Sequence, residues 1–498
     1  MNNDATISRV MRIVLSVLSI VLLSSRPCLA QEIPAPGGPP LAFTHVTVVD
    51  GTGTPAQPDM TVVVSGARIT ALGRFGSVPV PAGAHVVNAT GKFMIPGMAD
   101  MHTHAFIRSR KSFPLYVMSL FLANGVTTVR DFGNIGLRDD FGDFPYKQDV
   151  GWRQAITAGA VLGPRLHMAL TVVNGPRADG YPRTWTTVSD AAQAREPVVR
   201  LQQDGADFIK AYDQLSRDEY FALAEEATRQ GLPFVGHVPI AVTAAEASTA
   251  GQRSLEHNYG VLLGASTLEA ELMQKEGALY GRGKGAMRGI LGLADVKALV
   301  NSYSEEKARA LFATFVKNDT YVTPTLVRAS VQKPGPNDPR VKYFSPALRD
   351  YTFPARPASA PGPNPEVVET EALMFGYHQR LVKAMQASGV KMLIGTDNSF
   401  FGSAVHDELA ELVKAGLTPL EALQIGTRNA ATYLGKGDSL GTVETGKLAD
   451  LVLLDANPLA AIENAKKIAA VVVNGRLLER RELDRLLAQV ESASQSTR

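Results

Sequence analysis

The sequence predicts an α/β protein: a (β/α)8 TIM-like barrel with a small β-sandwich domain built from both ends of the chain. Two observations carry this prediction. Residues 93–435 alternate short apolar runs with helical patterns, which is typical of strand–helix repeats. Residues 41–92 and 436–480 hold short runs rich in Val, Thr and Ile between turns, which is typical of paired strands. At 498 residues the chain is long enough for a barrel with an appended domain.

Residues 1–30 have the pattern of a secretory signal peptide. Arg9 and Arg12 precede an apolar run, Ile13 to Leu23, that is too short to span a bilayer. Small residues then precede an expected cut after Ala30, so the pattern predicts a periplasmic or secreted protein. A retained membrane anchor is the alternative. A linker rich in Pro and Gly, 31–40, follows.

Cleavage after Ala30 would remove Cys28, the only cysteine of the sequence. The mature chain would then contain no thiol, which excludes disulfides, cysteine nucleophiles and thiolate metal sites. Any metal must therefore be held by nitrogen and oxygen ligands. No basic block with interleaved aromatic residues is present, so no nucleic acid partner is expected, nor membrane contact after signal cleavage.

Eight apolar runs are the candidate barrel strands. In order they are FMIPGMADMHTH, GVTTVRDF, RLHMAL, DFIKAYD, LPFVGHVP, SLEHNYG, TYVTPTL and KMLIGTD. Ser216 with Glu219 predicts a capped helix start, and Thr418 with Glu421 predicts another. Residues 264–300 and 333–365 fit no regular unit; they are expected to be lids, binding segments or solvated insertions. Residues 481–498 are a C-terminal helix or tail.

Polar residues stand late in several of these runs. His102 and His104 end the first run and share one face of a strand, since side chains alternate along it. Later runs carry Lys210, His237, His257 and Asp397. The carboxyl ends of barrel strands face the active site. Taken singly, each residue has a structural explanation, but six such residues in this order predict a metal site because buried charges need partners.

This pattern resembles the amidohydrolase superfamily, most closely the imidazolonepropionase-related branch that contains dipeptidases of the prolidase type. The resemblance also covers Ile-Pro-Gly at 95–97, Gly-Thr-Asp at 395–397 and the tail over residues 428–455. It implies two divalent metal ions. The inner one would be bound by His102, His104 and Asp397, the outer one by His237 and His257, and a carbamate formed by CO2 on Lys210 would bridge both.

The implied ligand set suits zinc, although manganese, cobalt and iron also accept nitrogen and oxygen donors. A carbamate on Lys210 supplies two oxygens and a negative charge between two cations, whereas an ammonium there would be repelled. An uncarboxylated Lys210 is the alternative.

The resemblance implies a metal-dependent hydrolase acting on carbon–nitrogen bonds. A metal-bridging hydroxide would attack the amide of a peptide-like or N-acyl amino acid substrate, with Asp397 as the catalytic proton carrier. The alternative is a mononuclear cyclic-amide hydrolase or deaminase of the imidazolonepropionase type. A binding protein on a degenerate barrel is disfavoured because none of the six expected residues is missing.

Two further residues are predicted near the site. Asp100 shares strand parity with His102 and is expected either to orient an imidazole or to form a structural turn. Tyr212 shares parity with Lys210 and is expected either to bind the substrate or to pack. Relatives commonly assemble, so a homo-oligomer is an expected form. The substrate itself is not named by the sequence.

Overall fold

The computed structural model describes residues 38–106, 113–133, 146–176, 185–280, 292–355, 362 and 364–496. The predicted signal peptide, most of the predicted linker and parts of 264–300 and 333–365 lie outside the described residues.

The described strands fall into one mostly antiparallel sheet and two parallel ones. They are β1 Leu41–Val48, β2 Gln57–Ser65, β3 Arg68–Arg74, β4 His85–Asn88, β5 Phe93–Pro96, β6 Met98–Thr103, β7 Val126–Asp131, β8 Arg165–Met168, β9 Val172–Asn174, β10 Thr186–Thr187, β11 Ile209–Ala211, β12 Phe234–Gly236, β13 Gln252–Glu256, β14 Tyr321–Thr323, β15 Leu451–Leu454, β16 Ile468–Val473 and β17 Arg476–Glu479.

The described α-helices lie mostly between the parallel strands. They are α1 Phe113–Ala123, α2 Tyr146–Thr157, α3 Ala191–Gln203, α4 Arg217–Gln230, α5 Ala244–Thr249, α6 Tyr259–Gly264, α7 Glu269–Tyr280, α8 Leu293–Asn301, α9 Glu305–Lys317, α10 Leu326–Ala329, α11 Pro346–Thr352, α12 Pro365–Ala387, α13 Ser403–Lys414, α14 Pro419–Gln424, α15 Ala430–Tyr433 and α16 Arg480–Ser496. Within the residues described, no helix combines the length and apolar character needed to cross a membrane.

The two ends of the chain form one eight-stranded sheet. Its order is β17-β16-β15-β5-β1-β2-β3, with β4 also paired to β1. Strand β5 pairs parallel with β1 and antiparallel with β15, so residues 93–96 belong to this sheet. The predicted start of the barrel segment at residue 93 is corrected accordingly. The chain leaves the sheet at Gly97, where a Cβ would lie 2.2 Å from the Thr127 hydroxyl, so only glycine fits this crossing.

The middle of the chain forms parallel strands. One sheet has the order β6-β7-β8 and the other β10-β9-β11-β12-β13-β14. Backbone hydrogen bonds connect the two parallel sheets at two places. Asp207 N–H donates to the Met168 carbonyl at 2.8 Å, and residues 392–397 hydrogen-bond to β14 on one side and β6 on the other. Parallel strands alternating with helices make this an α/β fold.

Five of the predicted barrel runs contain the strands β7, β8, β11, β12 and β14, a sixth overlaps β13, and the first contains β5 and β6. The last, KMLIGTD, makes only one isolated bridge, between Met392 and Val322. Strands β9 and β10 were not predicted. Both predicted capping boxes are present, Ser216 with Glu219 on α4 and Thr418 with Glu421 on α14.

Candidate metal centre

The structure brings the six predicted residues to the carboxyl ends of the parallel strands. His102 is the penultimate residue of β6, Lys210 lies in β11, and His237 and His257 directly follow β12 and β13. All four are at most 3% exposed, and the side chain of Asp397 is 13% exposed. Ligand atoms of His102, His257 and Asp397 lie within 4.8 Å of one another.

The remaining predicted ligands adjoin this group. His104 Nε2 lies 3.4 Å from Asp397 Oδ1, and His257 Nε2 lies 3.6 Å from Asp397 Oδ2. The rings of His237 and His257 meet edge to face with centroids 4.8 Å apart. The described geometry thus places three imidazoles beside the Asp397 carboxylate and a fourth, that of His237, against His257.

Each of these imidazoles is hydrogen-bonded through Nδ1 to a group outside the predicted ligand set. The pairs are His102 with Glu256 Oε2 at 2.8 Å, His104 with the Gly133 carbonyl at 2.6 Å, His237 with Asp213 Oδ1 at 2.7 Å and His257 with Thr325 Oγ1 at 2.7 Å. When Nδ1–H donates, the lone pair is on Nε2, the atom a metal would take.

Burial keeps these imidazoles neutral. Burial is the largest influence on the pKa of each ring. It lowers the pKa of His104, and it lowers the pKa values of His102 and His257 well below the ordinary range. Burial, followed by the charge of Lys210, lowers the pKa of His237 to about 4. A neutral imidazole has the free lone pair that metal binding requires.

Lys210 is buried against an aromatic ring. Its Nζ lies 4.4 Å from the centroid of Phe132, whose ring also stacks on His102 at 3.9 Å. Burial lowers the pKa of Lys210 to about 8, although the charges of Glu256 and Asp397 act in the opposite direction. Gly236 leaves room for this side chain, because a Cβ there would lie 2.9 Å from Lys210 Cδ and 2.3 Å from the Ala211 carbonyl oxygen.

Asp397 is paired with an arginine that the sequence did not single out. Arg328 Nε donates to Asp397 Oδ2 at 2.7 Å. Burial alone would raise the pKa of Asp397, but the positive charge of Arg328, with the neighbouring imidazoles and Lys210, holds it well below the usual range. The carboxylate is therefore ionised and able to bind a cation.

A second unforeseen pair lies beneath His102. Glu256, which orients that imidazole, accepts a hydrogen bond from Arg130 Nη2 at 3.0 Å and one from Ser254 Oγ at 2.6 Å. Arg130 and Glu256 are both nearly inaccessible to solvent. The signal for them was present in the sequence: each is a charged residue inside a predicted buried strand, where a charge needs a partner.

Asp100 does not orient an imidazole. Its Oδ1 accepts from the backbone N–H of His102 at 3.2 Å and of Thr396 at 3.0 Å, and its Oδ2 accepts from Thr396 Oγ1 at 2.7 Å. Burial raises the pKa of Asp100 to about 7. Of its two predicted roles, the structural one matches these contacts, because the carboxyl group ties the end of β6 to the segment that carries Asp397. Glu256 makes the imidazole contact instead.

Tyr212 lies beside the cluster. Its ring stacks on His237 with centroids 4.2 Å apart and meets Trp185 edge to face at 4.6 Å. The side chain is thus packed against a predicted ligand. Its predicted contact with substrate stays a prediction.

The fold and the convergent donors define a candidate metal centre on an α/β scaffold. The profile of the amidohydrolase family matches residues 378–478. The chain is 31% identical over 140 residues to the 5-methylthioadenosine/S-adenosylhomocysteine deaminase of Moorella thermoacetica, covering 24% of this chain and 33% of the deaminase. It is 43% identical over 82 residues to the imidazolonepropionase of Aromatoleum aromaticum, covering 16% of this chain and 20% of the other.

A solved structure shares the fold over nearly its whole length. It is a Xaa-Pro dipeptidase with methionine bound in the active site, 19% identical, with a TM-score of 0.63, and the match covers 88% of this chain and 100% of that one. The chain spans a third or less of the length of the two curated relatives. The family profile and the segment matches support the amidohydrolase superfamily for this chain, and the solved structure shows that the fold is shared.

Proposed function

We propose that this protein is an exported, metal-dependent amidohydrolase that hydrolyses the amide C–N bond of a peptide-like or N-acyl amino acid substrate. The observation that carries the proposal is the set of four imidazoles, each held through Nδ1, of which His102, His104 and His257 lie beside the Asp397 carboxylate and His237 beside His257. Such Nδ1 partners fix ring orientation and tautomer in histidine metal sites.

The donor set fits two divalent ions. His102, His104 and Asp397 would hold one ion and His237 and His257 the other, with a carbamate on Lys210 between them. Buried nitrogen and oxygen donors without thiolate suit zinc. The low pKa of Lys210 supports the carbamate, since the neutral amine is the form that reacts with CO2. The proposed scaffold is a closed (β/α)8 barrel, residues 98–435, beside a β-sandwich domain made by the two ends of the chain.

Bound divalent ions would supply Lewis acidity that polarises the substrate carbonyl and acidifies water. The chain's own contribution is proton transfer and orientation. Asp397, ionised in this environment, takes a proton from the attacking water and returns it to the departing amine. Glu256, Asp213, Thr325 and the Gly133 carbonyl hold the imidazoles so that the site is organised before substrate arrives.

A second candidate is a mononuclear cyclic-amide hydrolase or deaminase. The observation that favours it is the identity above 30% to a deaminase and an imidazolonepropionase, each over a limited segment. Metal stoichiometry separates the two: about two ions per chain supports the amide hydrolase and about one supports the alternative.

The experiment that tests the proposal is a hydrolysis screen of dipeptides and N-acyl amino acids with the zinc- or manganese-loaded protein. We expect release of a free amine from at least one member. No turnover of any amide, in protein shown to contain the metal, would contradict the proposed function.

Export is proposed from the first 30 residues, and N-terminal sequencing of the mature protein tests it, with Gln31 as the expected first residue. A homo-oligomer is also proposed, and the mass in solution tests it.

A further inference from the structure

We infer that Arg340 is a positioning residue for the proposed reaction: its guanidinium holds the 398–402 loop in place and thereby orients the carboxylate of Asp397, the residue before the loop. The inference rests on the proposed function, in which Asp397 carries the proton of the attacking water. Arg340 lies on a short 3-10 helix, Pro339–Tyr343, within the region 333–365 that was expected to contain a lid, a binding segment or a solvated insertion.

The backbone of Asp397 has a conformation that needs support from its surroundings. Its φ is +42°, in the left-handed region that residues other than glycine enter at a cost. On one side the support is strong, because the Asp397 N–H donates to the His102 carbonyl at 2.8 Å and Thr396 Oγ1 donates to Asp100 at 2.7 Å. The chain is thus fixed up to Asp397, and the direction in which it continues depends on the loop that follows.

Phe400 is a buried ring in the middle of that loop. Its side chain is 4% exposed. The Phe400 N–H donates to Asn398 Oδ1 at 3.0 Å, and the Phe400 carbonyl accepts from the Ala404 N–H at 2.9 Å, at the start of α13. The place of this residue is therefore coupled to the neighbour of Asp397 on one side and to a helix on the other.

Arg340 contacts both the loop and the helix after it. Its Cζ lies 4.6 Å from the centroid of the Phe400 ring, and its Nη1 donates to Asp407 Oδ2 on α13 at 2.5 Å. Asp338 accepts from Nε and Nη2 of the same guanidinium, each at 2.9 Å. The two parallel bonds to Asp338 fix the plane of the guanidinium, and a cation over an aromatic face attracts the ring.

The Phe400 ring has space into which it could move. A pocket of about 320 Å³ lies beside it and is also lined by Leu120 and Phe401. Packing against such a space opposes a rotation of the ring only weakly, because contacts are lost where a gap lies beside a side chain. The contacts with Arg340 and with Phe344, whose ring centroid lies 4.9 Å from that of Phe400, oppose the rotation instead.

The exposure of Arg340 separates this role from a general stabilising one. The side chain is 28% exposed, and partly exposed ion pairs add little to the stability of a fold. Removal of the guanidinium should therefore change the loop more than the whole protein. Because Arg340 acts on the proton carrier and not on the substrate, the change should be in kcat rather than in KM.

The first test compares Arg340→Met with Arg217→Met in the metal-loaded full chain. Arg217 on α4 is a matched control, because it also makes two bonds to one carboxylate, that of Glu246, and lies over the ring of Phe221 at 5.3 Å. Arg340→Met should lower kcat for a hydrolysed amide by about 10- to 100-fold, while KM stays unchanged and metal content falls far less than kcat. Arg340→Lys should recover part of the loss, and Arg217→Met should leave kcat unchanged.

A double-mutant cycle tests the path of the effect. If Arg340 acts through the Phe400 ring, Phe400→Leu lowers kcat to a similar extent, and the double variant is no slower than the slower single variant. Losses that multiply in the double variant would overturn the inference, as would an unchanged kcat in Arg340→Met or a loss of metal in proportion to kcat.

Hydrogen exchange in the 398–402 loop provides a readout that needs no turnover. Exchange, measured by mass spectrometry, should be faster in Arg340→Met than in the wild type and in Arg217→Met. Equal exchange in the three proteins would overturn the inference. If the metal-loaded wild type hydrolyses no amide, the proposed function is contradicted, and faster exchange in Arg340→Met still sustains the role of Arg340 in holding the loop.

Discussion

The floor of the site and its mouth differ in how far their charged side chains are exposed to solvent. The floor comprises Arg130, Glu256 and His102, whose charged and polar atoms are bonded to one another out of contact with solvent. The mouth comprises Asp397 and Arg328, whose side chains are both partly exposed. Charge at the floor fixes the orientation of His102, whereas charge at the mouth is partly accessible to solvent. Substitutions at the floor should therefore alter stability and metal affinity, and those at the mouth should alter turnover and selectivity.

The largest expected effect is at the mouth. Asp397→Asn should lower kcat by about 10²- to 10⁴-fold, because an amide cannot take the proton of the attacking water. The metal content of the same sample should fall far less than the turnover. Parallel loss of both would make Asp397 a ligand only and would weaken the contrast between the two regions.

At the floor, Glu256→Gln should weaken metal binding by about 10- to 100-fold, since His102 loses the carboxylate that orients it. It should also destabilise the protein by about 3–5 kcal/mol, because Arg130 keeps a buried charge without its ionic partner. Competition with a chelator and denaturant unfolding measure the two effects.

The matched control for that variant is Glu225→Gln, which breaks the exposed pair with Arg195 and should cost no more than about 1 kcal/mol. Equal destabilisation by the two variants would show that the floor has no special role.

A smaller effect concerns Glu408, which holds the helix of Arg328 in place. Burial raises the pKa of Glu408 to about 8 from an ordinary 4.5, so between these values the folded protein keeps a proton that the unfolded chain has released. The stability that this proton provides is fully present below about pH 4.5 and is lost as the pH rises through 8. In this window the free energy of unfolding should fall by up to about 1.4 kcal/mol per pH unit.

Glu408→Gln should flatten this dependence, and Glu371→Gln, on the exposed side of α12, should leave it unchanged. Denaturant unfolding of the three proteins at several pH values provides the comparison. An unaltered slope in Glu408→Gln would mean that another group titrates.

The smallest effect is expected at Tyr212, which packs against His237. Tyr212→Phe keeps the ring that stacks on His237 and removes only the hydroxyl. If the hydroxyl binds substrate, KM should rise by roughly two- to tenfold, the value of one ordinary hydrogen bond. An unchanged KM would assign Tyr212 to packing.

The sequence predicted site residues best where a polar side chain stands at the end of a predicted strand. His102, Lys210, His257 and Asp397 could be predicted because each stands late in an apolar run, and strand ends of one sheet meet. Strand β9 was missed because it follows β8 after only three residues, with no helix between the two strands to mark a new repeat. Strand β10 has only two residues, which is too few to show a period.

The partners of these residues were harder to predict. Glu256 and Arg130 stand 126 residues apart, and nothing local identifies one as the partner of the other. Arg328 lies in a four-residue helix with no helical pattern to place its side chain. Asp100 had the strand parity expected for an imidazole contact. Its carboxyl group instead accepts hydrogen bonds from the backbone N–H groups of His102, near the end of the same strand, and of Thr396. Long-range pairing depends on the tertiary fold, which strand periodicity does not encode.

We propose that the six strand-end residues form a binuclear metal centre. Its most direct test is the metal content per chain of the purified full-length protein, measured by mass spectrometry alongside His257→Ala as a ligand-loss control. We expect about two zinc or other divalent ions per wild-type chain and a clear loss in the variant. A wild-type protein that binds no stoichiometric metal, or a variant that retains the full content, would contradict it.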